Sequence, residues 1–456
     1  MLEALEADPA ADAVCGLDAA GARAWRHSAG ELLERAGAWQ SHLSRVGVEP
    51  GDRVGIDVER GPELLPAHLA VLASGACAVP LNSALTERER SRVLARADLR
   101  TLLGPADTPG RRGGGLRLAA LDDTRPALLI FTSGTTGEPK GVPLSLANLE
   151  ANLSALAQTW RLDRADRLLH VLPAHHVHGL VLALYGSARL GIPLLLAPRF
   201  EAEPCLRALG CEAASVLMAV PTMYHRLVRA PAAPDLSHMR VFISGSAPLA
   251  AQDFRDFAKR FGHAPVERYG LSETLIAASN PLDGERRPGT VGLPLPGTDV
   301  RLAADGEIEL RGPAVMSGYF RDPVTSAASF DGDFFRTGDL GHHDAAGYLV
   351  VAGRKKDLII VGGSNVLPGE VELVLAEDPG VDEVAVAGLP DADRGEIVAA
   401  FVVARAGTDP KRLEGDLRAR AEVDLSAYKR PRSYQFMAAL PRNAMGKIDR
   451  RRLREG

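Results

Sequence analysis

Thr132-Ser133-Gly134-Thr135-Thr136-Gly137-Glu138-Pro139-Lys140-Gly141 follows directly on an apolar run, Ala127-Leu128-Leu129-Ile130-Phe131. The run reads as a buried strand. A strand that opens into glycines, small hydroxyls and one lysine has the chemistry of a polyphosphate cradle. Glycines let backbone N–H groups turn inward and approach phosphate oxygens closely. The hydroxyls of Thr132, Ser133, Thr135 and Thr136 add neutral donors, and Lys140 adds a mobile positive charge. A Walker loop would place Gly-Lys-Ser/Thr at its second glycine, and this loop does not. The plain alternative is a flexible surface turn rich in Gly and Thr. A buried strand in front and a lysine behind favour a nucleotide triphosphate site of a different kind.

Outward from this loop, the chain is too long for one core. Its 456 residues suggest about three domain-sized units by length alone. A net charge of −5 supplies no basic footprint for nucleic acid and no polybasic membrane anchor. The amino terminus, Met1-Leu2-Glu3-Ala4-Leu5-Glu6, is acidic where a secretory signal would be basic. The longest apolar stretch, Val181 to Leu196, is broken by Ser187, Arg189 and Pro193, so no membrane span is expected. Cys15, Cys77, Cys205 and Cys211 form no Cys-x-x-Cys pair, which fits free thiols in a reducing, cytoplasmic setting.

The first 350 or so residues alternate strand-like and helix-like segments, which predicts parallel-rich sheets flanked by helices. Strands are expected over Arg53–Val58, Ala76–Pro80, Ser215–Val220, Met239–Ile243 and Pro265–Arg268. Helices are expected over Pro62–Ser74, Pro221–Arg229 and Leu249–Phe261, the last stopped by Gly262. Thr86 and Glu89 form a capping box at the start of another helix. Gly110 to Gly115 reads as a loop. Beyond Val350 a charged stretch precedes an apolar strand, Leu358 to Val361, and the last hundred residues make a small α+β domain. The expected division is 1–353 for the large domain and 354–456 for the small one.

Six stretches in order along the chain resemble the adenylate-forming superfamily of acyl-CoA synthetases, adenylation domains and luciferases. Besides the phosphate loop these are Gly245-Ser246-Ala247-Pro248-Leu249, Arg268-Tyr269-Gly270-Leu271-Ser272-Glu273-Thr274, Arg336-Thr337-Gly338-Asp339, Gly353-Arg354-Lys355-Lys356-Asp357 and Pro441-Arg442-Asn443-Ala444-Met445-Gly446-Lys447. The resemblance spans nearly the whole chain and implies an α/β fold with a small mobile C-terminal domain. It implies ATP, Mg²⁺ and coenzyme A as partners in a two-step reaction. Tyr269, at a strand's carboxyl end, would stack on adenine. Glu273 would hold Mg²⁺ through an oxygen, and Thr274 would bond a phosphate. Asp339 would accept both ribose hydroxyls, with Arg354 beside them. Ser246 and Arg268 join the ATP set together with Thr132, Ser133, Gly134, Thr135, Thr136, Gly137 and Lys140. Lys447 would be the lysine of adenylation, reaching the carboxylate and the α-phosphate, and a target for a lysine acetyltransferase. Lys356 falls at the hinge, and Gly363 and Ser364 near coenzyme A. Without the resemblance, Tyr269 reads as a core tyrosine and Glu273, Lys356 and Lys447 as solvated charges.

His175-His176-Val177-His178 invites a metal reading, but no Cys or carboxylate accompanies it. By resemblance this segment lines the acid pocket, with His178 on the substrate and His176 near the phosphates. Pro221-Thr222-Met223-Tyr224-His225-Arg226 follows a buried strand. An arginine facing inward there would demand an anion, such as the second carboxylate of a dicarboxylic acid. The alternative is an exposed helix arginine. The stretches around Arg226, His178 and Glu273 resemble malonyl-CoA synthetases, in which the residues matching Arg226 and Ser246 hold the distal carboxylate. Malonate, with methylmalonate behind it, is therefore the expected acid. A ligase for another short or medium-chain acid is the alternative, and a freestanding adenylation domain loading a carrier protein is the alternative from another class.

Overall fold

The strand predicted before the glycine-rich loop forms over Pro126–Ser133 and returns antiparallel as Pro139–Ser145. The computed structural model describes residues 2–110, 115–119, 122–133, 138–442 and 448–455. Most of the loop at 110–115 and the four residues 134–137 lie outside these. The chain divides into two compact units, residues 1–300 with 310–335, and residues 301–309 with 336–456.

The first unit holds two large sheets. One orders its nine strands as Leu293–Pro294, Leu275–Ser279, Val266–Leu271, Val241–Ser244, Val216–Ala219, Leu168–His170, Leu194–Leu196, Asp12–Leu17 and Arg23–Ser28. Pairing is parallel from Val266–Leu271 through to Asp12–Leu17, and antiparallel at both edges. The other orders Thr101–Leu103, Arg53–Ile56, Cys77–Pro80, Pro126–Ser133 and Pro139–Ser145. Its first four strands are parallel. Covering helices explain why central strands such as Val216–Ala219 are buried at every residue instead of alternating. One apolar core runs through residues of both sheets, from Leu2 to Phe335. A shared core is why length overestimates the number of units here.

Local signals are borne out at several element ends. Thr86 caps the helix Glu87–Ala97 reciprocally with Glu89, and Gly262 closes Ala251–Phe261 with φ +73°. Helix Pro221–Arg229 has the bounds expected. Strand Val266–Leu271 runs three residues beyond the predicted Arg268 because it turns back on Leu275–Ser279 as a hairpin. The apolar stretch from Val181 to Leu196 becomes a π-helical segment His178–Tyr185, a helix Gly186–Leu190 and the strand Leu194–Leu196. Among the described residues no helix is long and apolar enough to cross a membrane.

A further five-stranded sheet is built from Asp299–Leu302, Glu307–Arg311, Phe334–His343, Phe330–Asp331 and Leu349–Arg354. In the second unit, Ser364–Val366, Ile359–Val361, Gly395–Ala404, Val381–Asp391 and Ser433–Phe436 form another. Helices Pro368–Leu375 and Pro410–Asp424 bury Val371, Leu375, Leu413 and Leu417 in this unit's own core.

Candidate functional site

In the first unit, the candidate residues collect at the carboxyl ends of parallel strands, where open α/β sheets place ligands. Strand pairing opposes Thr132 to Lys140 across the mouth of the glycine-rich loop, and Thr132 Oγ1 donates to Lys140 O at 3.5 Å. The side chain of Ser133, and Gly134, Thr135, Thr136 and Gly137, lie outside the described residues. Lys140 Nζ stands 5.1 Å from the ring centroid of Tyr319. The same Tyr319 donates its hydroxyl to Glu273 Oε1 at 3.0 Å. Lysine and carboxylate therefore flank one aromatic ring. Sequence reasoning does not single out Tyr319, and no local pattern could, because 46 residues separate it from Glu273.

Glu273 owes its place to a tight turn. A Cβ on Gly270 would lie 1.9 Å from Leu275 O, so only glycine lets the hairpin close there. Met316 N donates to Glu273 O at 2.8 Å. Thr274, expected to offer its hydroxyl to a phosphate, is buried. Its Oγ1 accepts from Leu271 N and donates to Leu275 O, both at 3.2 Å. It shapes the turn that presents Glu273. Tyr269 is also displaced from expectation: it lies inside Val266–Leu271, paired with Ala278 and 8% exposed, and not at the strand's end.

Arg268 is the unusual cation of this unit. It is 5% exposed, its Nε lacks a hydrogen-bond partner, and no ion pair reaches it among the described residues. Its Nη2 donates to Ser246 Oγ at a long 3.4 Å. Gly245 makes room for it, since a Cβ there would sit 2.4 Å from Arg268 Nε. Burial pushes its pKa down to about 9, which leaves it charged at neutral pH. His178 is buried, with both ring nitrogens unpartnered. Burial first and the Arg268 charge second hold it well below the usual histidine range, so it stays neutral. A buried, charged guanidinium without a counter-ion favours an anion brought beside it.

Arg226 requires a correction. It is exposed, on the helix Pro221–Arg229 whose buried residues are Tyr224 and Leu227. Two hundred degrees of helical rotation separate it from Tyr224, by the ~100° per residue of an α-helix. The helix does not bury Arg226, so the demand of a desolvated charge for an anion does not arise at this residue.

The histidine run is split. His175 is pushed down to about 4 by burial, and its ring lies 4.2 Å from that of His176. Behind His178, His170 Nε2 meets Gly179 O at 2.7 Å and Nδ1 meets Arg60 Nη2 at 2.7 Å. Arg60 also donates to the carbonyls of His170, Leu172 and Ala197, tying strand ends to the π-helical segment. Among the described residues no group of three or more His, Cys, Asp or Glu is placed to hold a metal ion. A single carboxylate such as Glu273 suits Mg²⁺ that arrives with most of its ligands from phosphate and water.

In the second unit, Asp339 and Arg354 oppose one another across adjacent strands, with Arg354 Nε 2.7 Å from Asp339 Oδ1. Asp339 is buried and Arg354 half-buried. Arg354 Nη1 donates to Thr337 O, and Asp339 N to Thr337 Oγ1. Lys356 is exposed in the short turn Lys355–Asp357, while Lys355 is anchored by Asp305 at 2.5 Å and Glu307 at 3.0 Å. Gly363 lies exposed in the hairpin turn after Ile359–Val361, and Ser364 opens the returning strand Ser364–Val366, opposite Val361. Lys447 lies outside the described residues.

The chain matches the AMP-binding enzyme family over residues 3–118 and 105–320, and the AMP-binding enzyme C-terminal domain over 370–447. It is 36% identical to ATP-bound MatB from Rhodopseudomonas palustris, with a TM-score of 0.90 over 98% of this chain and 96% of that one. It is 32% identical to a malonate–CoA ligase of Arabidopsis thaliana, covering 89% of this chain and 78% of the relative. A sulfoacetate–CoA ligase of Cupriavidus necator is 34% identical, over 93% and 91%. With two family domains matched in order and ligases of this kind aligned along most of its length, the chain belongs to the adenylate-forming AMP-binding enzymes and is an acid–CoA ligase.

Proposed function

We propose that the chain joins a short acid carrying a second anionic group, malonate first, to coenzyme A through an acyl-adenylate, releasing AMP and pyrophosphate. The observation that carries the choice of acid is Arg268, a buried guanidinium without an ion pair beside Ser246 and neutral His178. A fatty or aromatic acid would bring no second anion to that charge and would leave it to the triphosphate, for which the resemblance also reserves Arg268. A second carboxylate would compensate it and accept the donors that Nε and Ser246 offer. The likeness to ligases for malonate and sulfoacetate supports the same class. Arg226 enters this reading only as a solvent-facing cation.

In the adenylation step, Lys140 and Thr132 hold the triphosphate, Tyr269 the adenine, and Asp339 with Arg354 the ribose. His176 lies toward the phosphates. Lys447 meets the charge that builds up as the acid's carboxylate oxygen attacks the α-phosphate. Glu273 would hold Mg²⁺, which would supply positive charge for the pyrophosphate leaving group. In the second step the small domain, residues 354–456, turns about Lys356 and brings coenzyme A, near Gly363 and Ser364, to the adenylate.

Pyrophosphate release with malonate, methylmalonate, succinate, sulfoacetate, acetate and octanoate tests the reading. The highest kcat/KM is expected for malonate, and a preference for octanoate or acetate would overturn it. Acylation of a carrier protein in the absence of free coenzyme A would favour an adenylation domain instead.

A further inference from the structure

The segment 314–320 meets both halves of the triphosphate end of the site. Phe320 N donates to Gly141 O at 2.8 Å, immediately after Lys140, and Met316 N donates to Glu273 O at 2.8 Å. Between these two backbone anchors stands Tyr319, half-buried, its own N–H donating to Ser326 Oγ at 2.8 Å. Its ring face takes the Lys140 ammonium at 5.1 Å and its hydroxyl takes Glu273 Oε1 at 3.0 Å. An aromatic face attracts a cation without neutralising it, so Lys140 keeps its full charge for phosphate. A neutral O–H donor orients a carboxylate while leaving its second oxygen and its charge available to a cation. A salt bridge between Lys140 and Glu273 would have cancelled both groups. The tyrosine engages each of them through a neutral group, which leaves both charges in place.

We propose that Tyr319 is a positioning residue of the nucleotide site, holding Glu273 oriented toward the metal and Lys140 toward the phosphates while keeping them from pairing. This rests on the reading that Glu273 serves Mg²⁺ and Lys140 the triphosphate. The two roles of Tyr319 are separable because one belongs to the hydroxyl and the other to the ring.

Titration calorimetry of ATP into the full chain, with Mg²⁺ and then with a chelator, separates them. Tyr319→Phe keeps the ring. It is expected to weaken ATP binding roughly tenfold with Mg²⁺, the scale of one hydrogen bond to a charged group, and to match wild type under chelation. Tyr319→Leu removes the ring as well and is expected to weaken binding about two- to fivefold even under chelation. On a Glu273→Ala background, Tyr319→Phe should add less than about twofold, because the group it orients is gone. Thermal melting of each variant checks that it folds, and Tyr319→Phe alone suffices if Tyr319→Leu does not. Wild-type affinity for Tyr319→Phe with Mg²⁺ would overturn the proposal while Glu273→Ala still weakens binding. An equal loss by Tyr319→Phe with chelator, or on the Glu273→Ala background, would make the residue merely structural and overturn it too. If Glu273→Ala itself binds ATP with Mg²⁺ as wild type does, the assignment of Glu273 fails and the proposal with it.

Discussion

Replacing Arg268 by methionine should make the protein more stable and nearly blind to malonate. The guanidinium is 5% exposed and has no ionic partner among the described residues. Its pKa falls from 12.5 to about 9 through burial alone. That fall corresponds to about 5 kcal/mol of lost hydration in the charged form. A methionine of similar reach removes that cost and forfeits one long hydrogen bond to Ser246, so a net gain of ~1–4 kcal/mol is expected. The incoming carboxylate, by contrast, loses charge-assisted hydrogen bonds worth ~1.5–3 kcal/mol each, so kcat/KM for malonate should fall by about 10²-fold. Acetate has no second carboxylate, so its kcat/KM should fall much less than that for malonate, and the KM for ATP, measured alongside, reads whatever part Arg268 plays for the nucleotide. Thermal melting and pyrophosphate release with the two acids read both effects from one preparation. A destabilised variant that loses malonate and acetate equally would refute this reasoning, because Arg268 would then be holding the fold.

Three further outcomes are expected of the same molecule. Burial pushes Glu267 up to about 7, so between pH 4.5 and about 7 the folded chain keeps a proton that the unfolded chain releases. Stability from this group therefore declines as pH rises across that window, by up to about 3 kcal/mol; Glu267→Gln should flatten the melting-temperature profile, and an unchanged profile would show the carboxyl to be ionised when folded. Gly270→Ala drives a Cβ into Leu275 O, and the turn must open, at ~1–3 kcal/mol and with a large loss of ATP–pyrophosphate exchange as Glu273 shifts; near-normal exchange would mean the turn is not what places Glu273. Lys447→Ala should abolish adenylate formation yet spare thioester formation from preformed adenylate, and Lys356→Pro should do the reverse, as separate half-reaction assays would record; equal loss of both halves in both variants would remove the division of labour between the two positions.

Chemistry that acts over a few residues is legible in the sequence itself. The strand leading into the phosphate loop, the capping box of Thr86 and Glu89 and the glycine stop at Gly262 all depend on neighbours in the chain. A second capping box, Ser28 with Glu31, starts the helix Ala29–Arg45 by the same short-range pairing. Arg226 is instructive in the same way. Its spacing from Tyr224 and Leu227 puts it on the outward side of its helix, so periodicity alone weighs against a buried role.

What no local pattern contains is which distant groups meet. Sequence alone determined the order of motifs, and with it the family, the nucleotide and the class of reaction. Only the tertiary structure decided that Tyr319 stands between Lys140 and Glu273, that Thr274 turns its hydroxyl inward, and that Arg268 is buried without a counter-ion beside His178. The reason is physical. Secondary structure follows from hydrogen bonds and side-chain spacing over one or two turns. The solvation of a charge and the partner of a ring depend on segments brought together by packing, and that packing is settled only when the whole core closes.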